Sequence, residues 1–132
     1  MRTNLIAYVV TAIIFFGMDF AWLSFASGAV YKPRIGALLL DSPNMPIAAA
    51  FYLLYVIGIL AFAVFPAIDQ ASLWRAVWGG ALLGLVAYGT YDVTNLATLI
   101  GWSGVVSVID MAWGVFVTGL AASLAYLVVR AL

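Results

Sequence analysis

Four long apolar stretches constrain this chain more than any other feature of its sequence. A helix that crosses a bilayer needs about 20 mostly apolar residues, and each of the four stretches has roughly this length between proline, glycine and serine residues. The stretches are rich in Ala, Leu and Gly and lack the alternating pattern of a membrane barrel. We therefore predict membrane-spanning helices at residues 5–26, 47–65, 75–100 and 105–129.

The composition supports a membrane protein for a separate reason. The chain has 132 residues, of which 67% are hydrophobic and 8% are charged. A soluble domain of this length buries only about two thirds of its surface, so much of this apolar material would face water and cause aggregation. We predict an all-α integral membrane protein, a four-transmembrane-helix bundle that forms a single membrane domain over residues 1–132.

Proline and serine residues between the stretches set the predicted helix boundaries. Pro46 suits the first turn of the second helix, and Pro66 is predicted to end it. Ser72 is a candidate N-cap for the third helix. The one long connection, residues 27–45, joins helices 1 and 2. Within it, Pro33 is predicted to begin a short interfacial helix that acts as a lid.

The residue types that are missing exclude several classes of function. The chain has no cysteine, no histidine and a net charge of zero. It has no cluster of Lys and Arg residues that would bind the phosphates of a nucleic acid. Without thiols and imidazoles it lacks the usual nucleophiles and the ligands of zinc, copper and haem. We therefore expect no nucleic-acid partner, no metal site and no cofactor.

Three of the five acidic residues fall inside the predicted spans. An ionised Asp at the centre of a membrane helix costs about 2.5 to 3.5 kcal/mol, so three such residues call for an explanation. Counted at a rise of about 1.5 Å per residue, all three lie roughly 9 to 15 Å below the face that carries the long connection. We predict that Asp19, Asp92 and Asp110 converge on one pocket.

The neighbours of these acids on each helix face are polar or aromatic, because residues three or four apart share a face. Asp92 shares its face with Tyr88 and Asn95. The candidate catalytic or ion-binding residues are thus Asp92, Asp110 and Asp19. The candidate ligand-binding residues are Tyr88, Tyr91 and Asn95 as orienting groups, Trp22 and Trp113 as walls, and Lys32 and Arg34 at the pocket mouth. A purely structural alternative, in which the acids bond across helices, would contribute about 0.6 kcal/mol for each bond.

Small residues also recur along the third and fourth predicted helices. They predict that two helix backbones approach closely, within the chain or at a dimer interface. The third helix contributes Ala76, Gly80 and Gly84, and the fourth contributes Gly114, Thr118 and Ala122.

Several strings of the sequence resemble a known family. Tyr88-Gly-Thr-Tyr91-Asp92-Val-Thr-Asn95, Asp110-Met-Ala-Trp113 and Asp19-Phe-Ala-Trp22 are similar to the pattern of a bacterial membrane family catalogued as domain of unknown function 2177. The resemblance implies a small bacterial inner-membrane protein with four spans. It implies no reaction.

The basic residues indicate an orientation. Arg2, Arg75 and Arg130 lie at one side of the predicted bundle, and Lys32 and Arg34 lie at the other. Short cytoplasmic segments carry the excess of positive charge. The count of three against two favours cytoplasmic termini.

These observations favour an intramembrane acidic and aromatic pocket, in contact with membrane lipids, for a lipophilic or cationic small molecule. In an enzyme acting on a lipid-like substrate, Asp92 and Asp110 would serve as general acid and base, with Asp19 as their electrostatic partner. Proton- or cation-coupled transport is an alternative. Four spans are few for a transporter, so this alternative predicts a homodimer or larger assembly. A non-catalytic membrane assembly subunit is a third alternative, and the sequence leaves these three open.

Overall fold

The computed structural model describes residues 2–132, which are helical almost throughout and contain no strand. A π-helical turn, Ser27–Tyr31, joins the first two helices, and a second, Leu60–Val64, joins the next two. The all-helical prediction is confirmed. The helices are α1 (Arg2–Ala26), α2 (Lys32–Ile35), α3 (Met45–Ile59), α4 (Phe65–Gln70), α5 (Leu73–Thr98) and α6 (Gly104–Arg130).

Three helical stretches within the described residues are long and apolar enough to cross a membrane. They are Arg2–Leu38, Met45–Gln70 and Gly104–Arg130. Helix α5 has 26 residues and is long enough as well. Its glycines, tyrosines and threonines make it less apolar than the other three stretches.

Helix α1 ends at residue 26, where the first span is predicted to end, but the chain stays helical beyond it. The helix continues through the π-helical turn and α2 into a 3₁₀ turn, Gly36–Leu38. Pro33 lies in the first turn of α2, directly after the wider π-helical turn. A proline is tolerated in the first turn of a helix, because the backbone N–H that it lacks would have no carbonyl partner within the helix there. The predicted lid, here residues 27–43, therefore begins as a helical extension of α1 that reaches Leu38, and it is not a separate interfacial helix.

The prediction that Pro66 ends the second helix is wrong, because the helical stretch runs from Met45 to Gln70. A proline inside a helix removes one hydrogen bond and its ring clashes with the carbonyl four residues earlier. The π-helical turn Leu60–Val64 directly precedes Pro66 and widens the backbone there. The helix therefore continues to Gln70 and ends at Ala71, which has a left-handed φ of 49°.

The first-turn proline predicted for the second helix and the serine cap predicted for the third are confirmed. Pro46 lies in the first turn of α3, and Asn44 Oδ1 accepts a hydrogen bond from the Ile47 amide at 3.3 Å. Ser72 Oγ accepts a bond from the Arg75 amide at 3.1 Å and so caps α5. Each cap satisfies one of the backbone N–H groups that have no partner in the first turn of a helix.

Small residues let α5 and α6 pack backbone against backbone. A β-carbon at Gly80 would lie 2.7 Å from the Thr118 carbonyl oxygen and 2.8 Å from the Gly119 Cα. One at Gly84 would lie 2.6 Å from the Gly114 carbonyl carbon. These distances leave no room for a side chain, so the close approach predicted from the small residues is confirmed within the chain.

The buried side chains form two clusters. The larger one fills the bundle below the acids and includes Phe15, Ile59 and Val117. The smaller one, formed by Ala26, Val30, Ile35 and Val106, fixes the extension of α1 against the start of α6. Both clusters border on a cavity at the end of the bundle that residues 39–43 cover.

Candidate functional site

The cavity has a volume of about 850 Å³, which falls in the range of small-molecule sites, about 300 to 1,000 Å³. Its wall is largely aromatic and aliphatic and contains a few polar groups. The aromatic side chains include Phe15, Trp22, Phe51, Tyr55, Tyr88 and Tyr91. The charged ones are Asp19, Lys32, Asp41, Asp92 and Asp110.

Asp19 is buried, with 3% of its surface exposed, and both of its carboxyl oxygens are hydrogen-bonded. The Tyr52 hydroxyl donates to Oδ2. Trp113 Nε1 donates to Oδ1 at 3.1 Å. The carboxyl therefore joins α1 to α3 and α6, which is the role that the structural alternative describes.

Asp110 is tied to the extension of α1. The Tyr31 hydroxyl donates to Asp110 Oδ1 at 2.6 Å, and Trp22 Nε1 donates to the same hydroxyl at 3.0 Å. Tyr31 lies 79 residues before Asp110 in the chain. A single hydroxyl thus fixes the lid to the acid on α6.

Asp92 has a different environment. Its side chain is fully buried, and within residues 2–132 no amide, hydroxyl or cationic group donates to either carboxyl oxygen. The neighbouring Asp110 carboxyl can form a hydrogen bond with it only when one of the two acids is protonated. Ser107 Oγ donates to the Asp92 backbone carbonyl at 3.0 Å, and Trp102 Nε1 donates to Ser107 Oγ at 2.9 Å. The backbone of Asp92 is therefore held in place, and the residue forms part of the cavity wall with its carboxyl fully buried and without a donor.

Trp22 and Trp113 stack on each other, with ring centroids 4.7 Å apart and planes 9° from parallel. Of these two indoles, both predicted as walls of the pocket, the structure brings only one to the cavity. Trp22 lines the cavity, whereas Trp113 lies behind it and reaches Asp19 through its N–H. The difference arises because α1 packs against α6, and the two indoles stack in that contact.

Within residues 2–132, no group of three His, Cys, Asp or Glu side chains is arranged to hold a metal ion. What the cavity offers a ligand is a pair of carboxyl groups among aromatic rings. An unpaired carboxyl in such a place accepts hydrogen bonds or attracts a cation.

The sequence profile of one family covers nearly all of the chain. Residues 4–127 match the family described as "Predicted membrane protein (DUF2177)". The chain belongs to this family. Comparison with the curated proteins gives no match, and comparison with the solved structures gives none. Membership in the DUF2177 family therefore establishes a membrane protein and leaves its activity to be inferred from the cavity.

Most of the site residues predicted for this DUF2177 protein lie in the cavity wall, although their roles stay predictions. The structure does not bring Asn95, Arg34 or Trp113 to the wall. The Arg34 guanidinium donates instead to the backbone carbonyl oxygens of Val30 at 3.2 Å and Ala29 at 3.4 Å. The predicted residues in the wall are Asp19, Trp22, Lys32, Tyr88, Tyr91, Asp92 and Asp110.

Sequence reasoning missed the two tyrosines that hold the acids. Tyr52 and Tyr31 donate to Asp19 and Asp110. Tyr52 belongs to an aromatic run near the predicted pocket, which is a usable signal. Tyr31 lies in the connection and far from Asp110 in sequence, so helix periodicity could not have paired them.

Replacing Tyr31 with phenylalanine is expected to loosen the lid of this DUF2177 protein. The change removes the hydroxyl that joins Trp22 to Asp110 and costs about 1 kcal/mol, because two partly buried groups lose their partner. Hydrogen exchange of the amides in residues 32–43 should become faster. Tyr126→Phe is the matched control, because among residues 2–132 the Tyr126 hydroxyl accepts a hydrogen bond from Arg130 alone and touches neither Trp22 nor Asp110. Unchanged exchange in Tyr31→Phe would contradict the assignment.

Proposed function

We propose that this protein binds a membrane-soluble amphiphile with a cationic head group, and that the head group lies at Asp92 and Asp110. The observation that carries the proposal is the Asp92 carboxyl, which is fully buried in the cavity wall without a hydrogen-bond donor within the described residues. Leaving such a group unpaired costs about 1 to 3 kcal/mol. A bound ammonium group would supply the missing donors and charge.

The rest of the cavity suits the same ligand. Aromatic faces attract cations when water is excluded, and Tyr55 and Tyr88 lie in the wall with ring centroids 6.2 Å apart. Both carboxyl oxygens of Asp19 already accept hydrogen bonds from the protein. The ligand's charge would therefore pair with Asp92 and Asp110. Lys32 is placed on the lid, where its long side chain can extend its ammonium group towards water.

We also propose a topology for the membrane. Helix α5 would be a fourth span, because it has the length to cross a bilayer and packs along α6 over most of that length. With four spans both termini lie on one side, and the greater count of basic residues favours the cytoplasmic side of a bacterial inner membrane.

The proposal predicts a charge-selective binding equilibrium. In nanodiscs, hexadecylamine should bind above the level of empty discs, whereas hexadecanol should not. Asp92→Asn should weaken binding of the amine by about 10- to 100-fold, because a hydrogen bond to a charged group is worth about 1.5 to 3 kcal/mol. Radiolabelled hexadecylamine measures both quantities.

Asp69→Asn is the matched control for this experiment. Asp69 is an exposed acid that does not line the cavity, so its loss changes the net charge equally and should leave binding unchanged. Equal binding of hexadecanol, or an Asp92→Asn protein that binds the amine as well as the wild type, would refute the proposed function.

A further inference from the structure

The cavity has a side opening between α3 and α5. Phe51 on α3 and Tyr91 on α5 both line the cavity, yet 58% and 56% of their surfaces are exposed. A residue that lines a cavity and is also exposed lies at its rim. These two residues therefore mark a lateral opening in the wall.

The packing of the helices explains where the opening lies. Helix α5 packs against α6 and, at its first turns, against the π-helical turn Leu60–Val64, where a β-carbon at Gly79 would lie 3.2 Å from the Phe62 carbonyl oxygen. Further along, α3 packs against α1 instead. Helices α3 and α5 thus meet at one end and separate towards the lid.

The surface of α3 beside the opening is apolar. Ile47, Phe51 and Leu54 lie on one face of the helix and are 67%, 58% and 60% exposed. In a membrane-spanning segment this face contacts hydrocarbon chains. Towards the lid, Leu38 and Leu39 also line the cavity and are 50% and 42% exposed, so the rim on that side consists of apolar side chains.

We propose that the ligand enters through this opening from the hydrocarbon phase and keeps a single alkyl chain between α3 and α5 while its head group reaches Asp92. This inference rests on the proposed function and specifies it further. It makes the ligand a single-chain amphiphile dissolved in the membrane. A water-soluble cation would have to pass the lid.

Spin labels on single cysteines test the opening directly, because the chain contains no cysteine of its own. A nitroxide at Phe51→Cys should lose about half or more of its oxygen accessibility when hexadecylamine is added to the nanodiscs, since a bound ligand is largely enclosed by its site. Phe62→Cys is the matched control. Phe62 is 63% exposed and does not line the cavity, so its label should not respond.

Tyr91→Cys provides a second label position on the opposite rim, in case the label at position 51 prevents folding. In an Asp92→Asn background, the response at either rim position should disappear. If labelled protein binds radioactive hexadecylamine but neither rim label responds, the lateral opening is refuted and the proposed function stands. If hexadecylamine does not bind to the unlabelled wild type, the proposed function itself fails.

Discussion

Gly84→Ala is expected to lower the free energy of unfolding by about 3 kcal/mol, at the upper end of the cost of overpacking a core. The added β-carbon would collide with the Gly114 carbonyl oxygen and lie 3.0 Å from Thr118 Oγ1. The obstructing carbonyl belongs to the backbone of α6 and cannot rotate away. Helices α5 and α6 must therefore separate, and with them the residues that hold Asp92 and Asp110.

Unfolding of the reconstituted protein in sodium dodecyl sulfate, followed by circular dichroism, measures this loss. Gly58→Ala is the matched control, because nothing lies within 4 Å of a β-carbon at Gly58. It should stabilise the protein by about 0.5 to 1 kcal/mol, the usual advantage of alanine inside a helix. If the two variants unfold alike, α5 and α6 do not pack as closely as described.

Asp92→Leu is expected to raise the free energy of unfolding by about 1 to 3 kcal/mol while abolishing hexadecylamine binding. The gain is the cost of burying an unpaired polar group, which the leucine removes. A residue that lowers stability in the free protein and is needed for binding is characteristic of a functional site.

Asp19→Leu separates this explanation from a general effect of removing an acid. It would leave the Tyr52 hydroxyl and the Trp113 N–H without their acceptor, so it should lower stability, again by about 1 to 3 kcal/mol. The same unfolding experiment measures both variants. A destabilised Asp92→Leu protein would show that the Asp92 carboxyl holds the bundle together, and it would favour the structural alternative.

The opposite signs expected for Asp19 and Asp92 show what the sequence could not provide. Both are aspartates inside apolar stretches, so the residue type alone predicts a similar free-energy cost for placing each of them in a membrane. Their different roles depend on tyrosine and tryptophan side chains from other helices. Such contacts join residues that are 33 or 94 positions apart, whereas helix periodicity relates only residues within a few turns.

The helix ends show a similar limit. Ser72 and Pro46 act over one helical turn, and their positions were predictable because a cap or a first-turn proline needs only its nearest neighbours. Pro66 and Pro33 follow π-helical turns that let the helix continue. Helix periodicity assumes a uniform α-helix, so it does not show where such a turn lies.

The sequence by itself determined that the protein is helical, that its long apolar stretches suit a membrane, and that α5 and α6 lie close together. These properties follow from residue type and from spacing along one helix. Only the tertiary structure decided which carboxyl is satisfied, how the lid is attached and where the cavity opens. The reason is physical: hydrogen-bond partners and openings depend on side chains from separate helices, whose relative positions are set by the packing of the whole bundle.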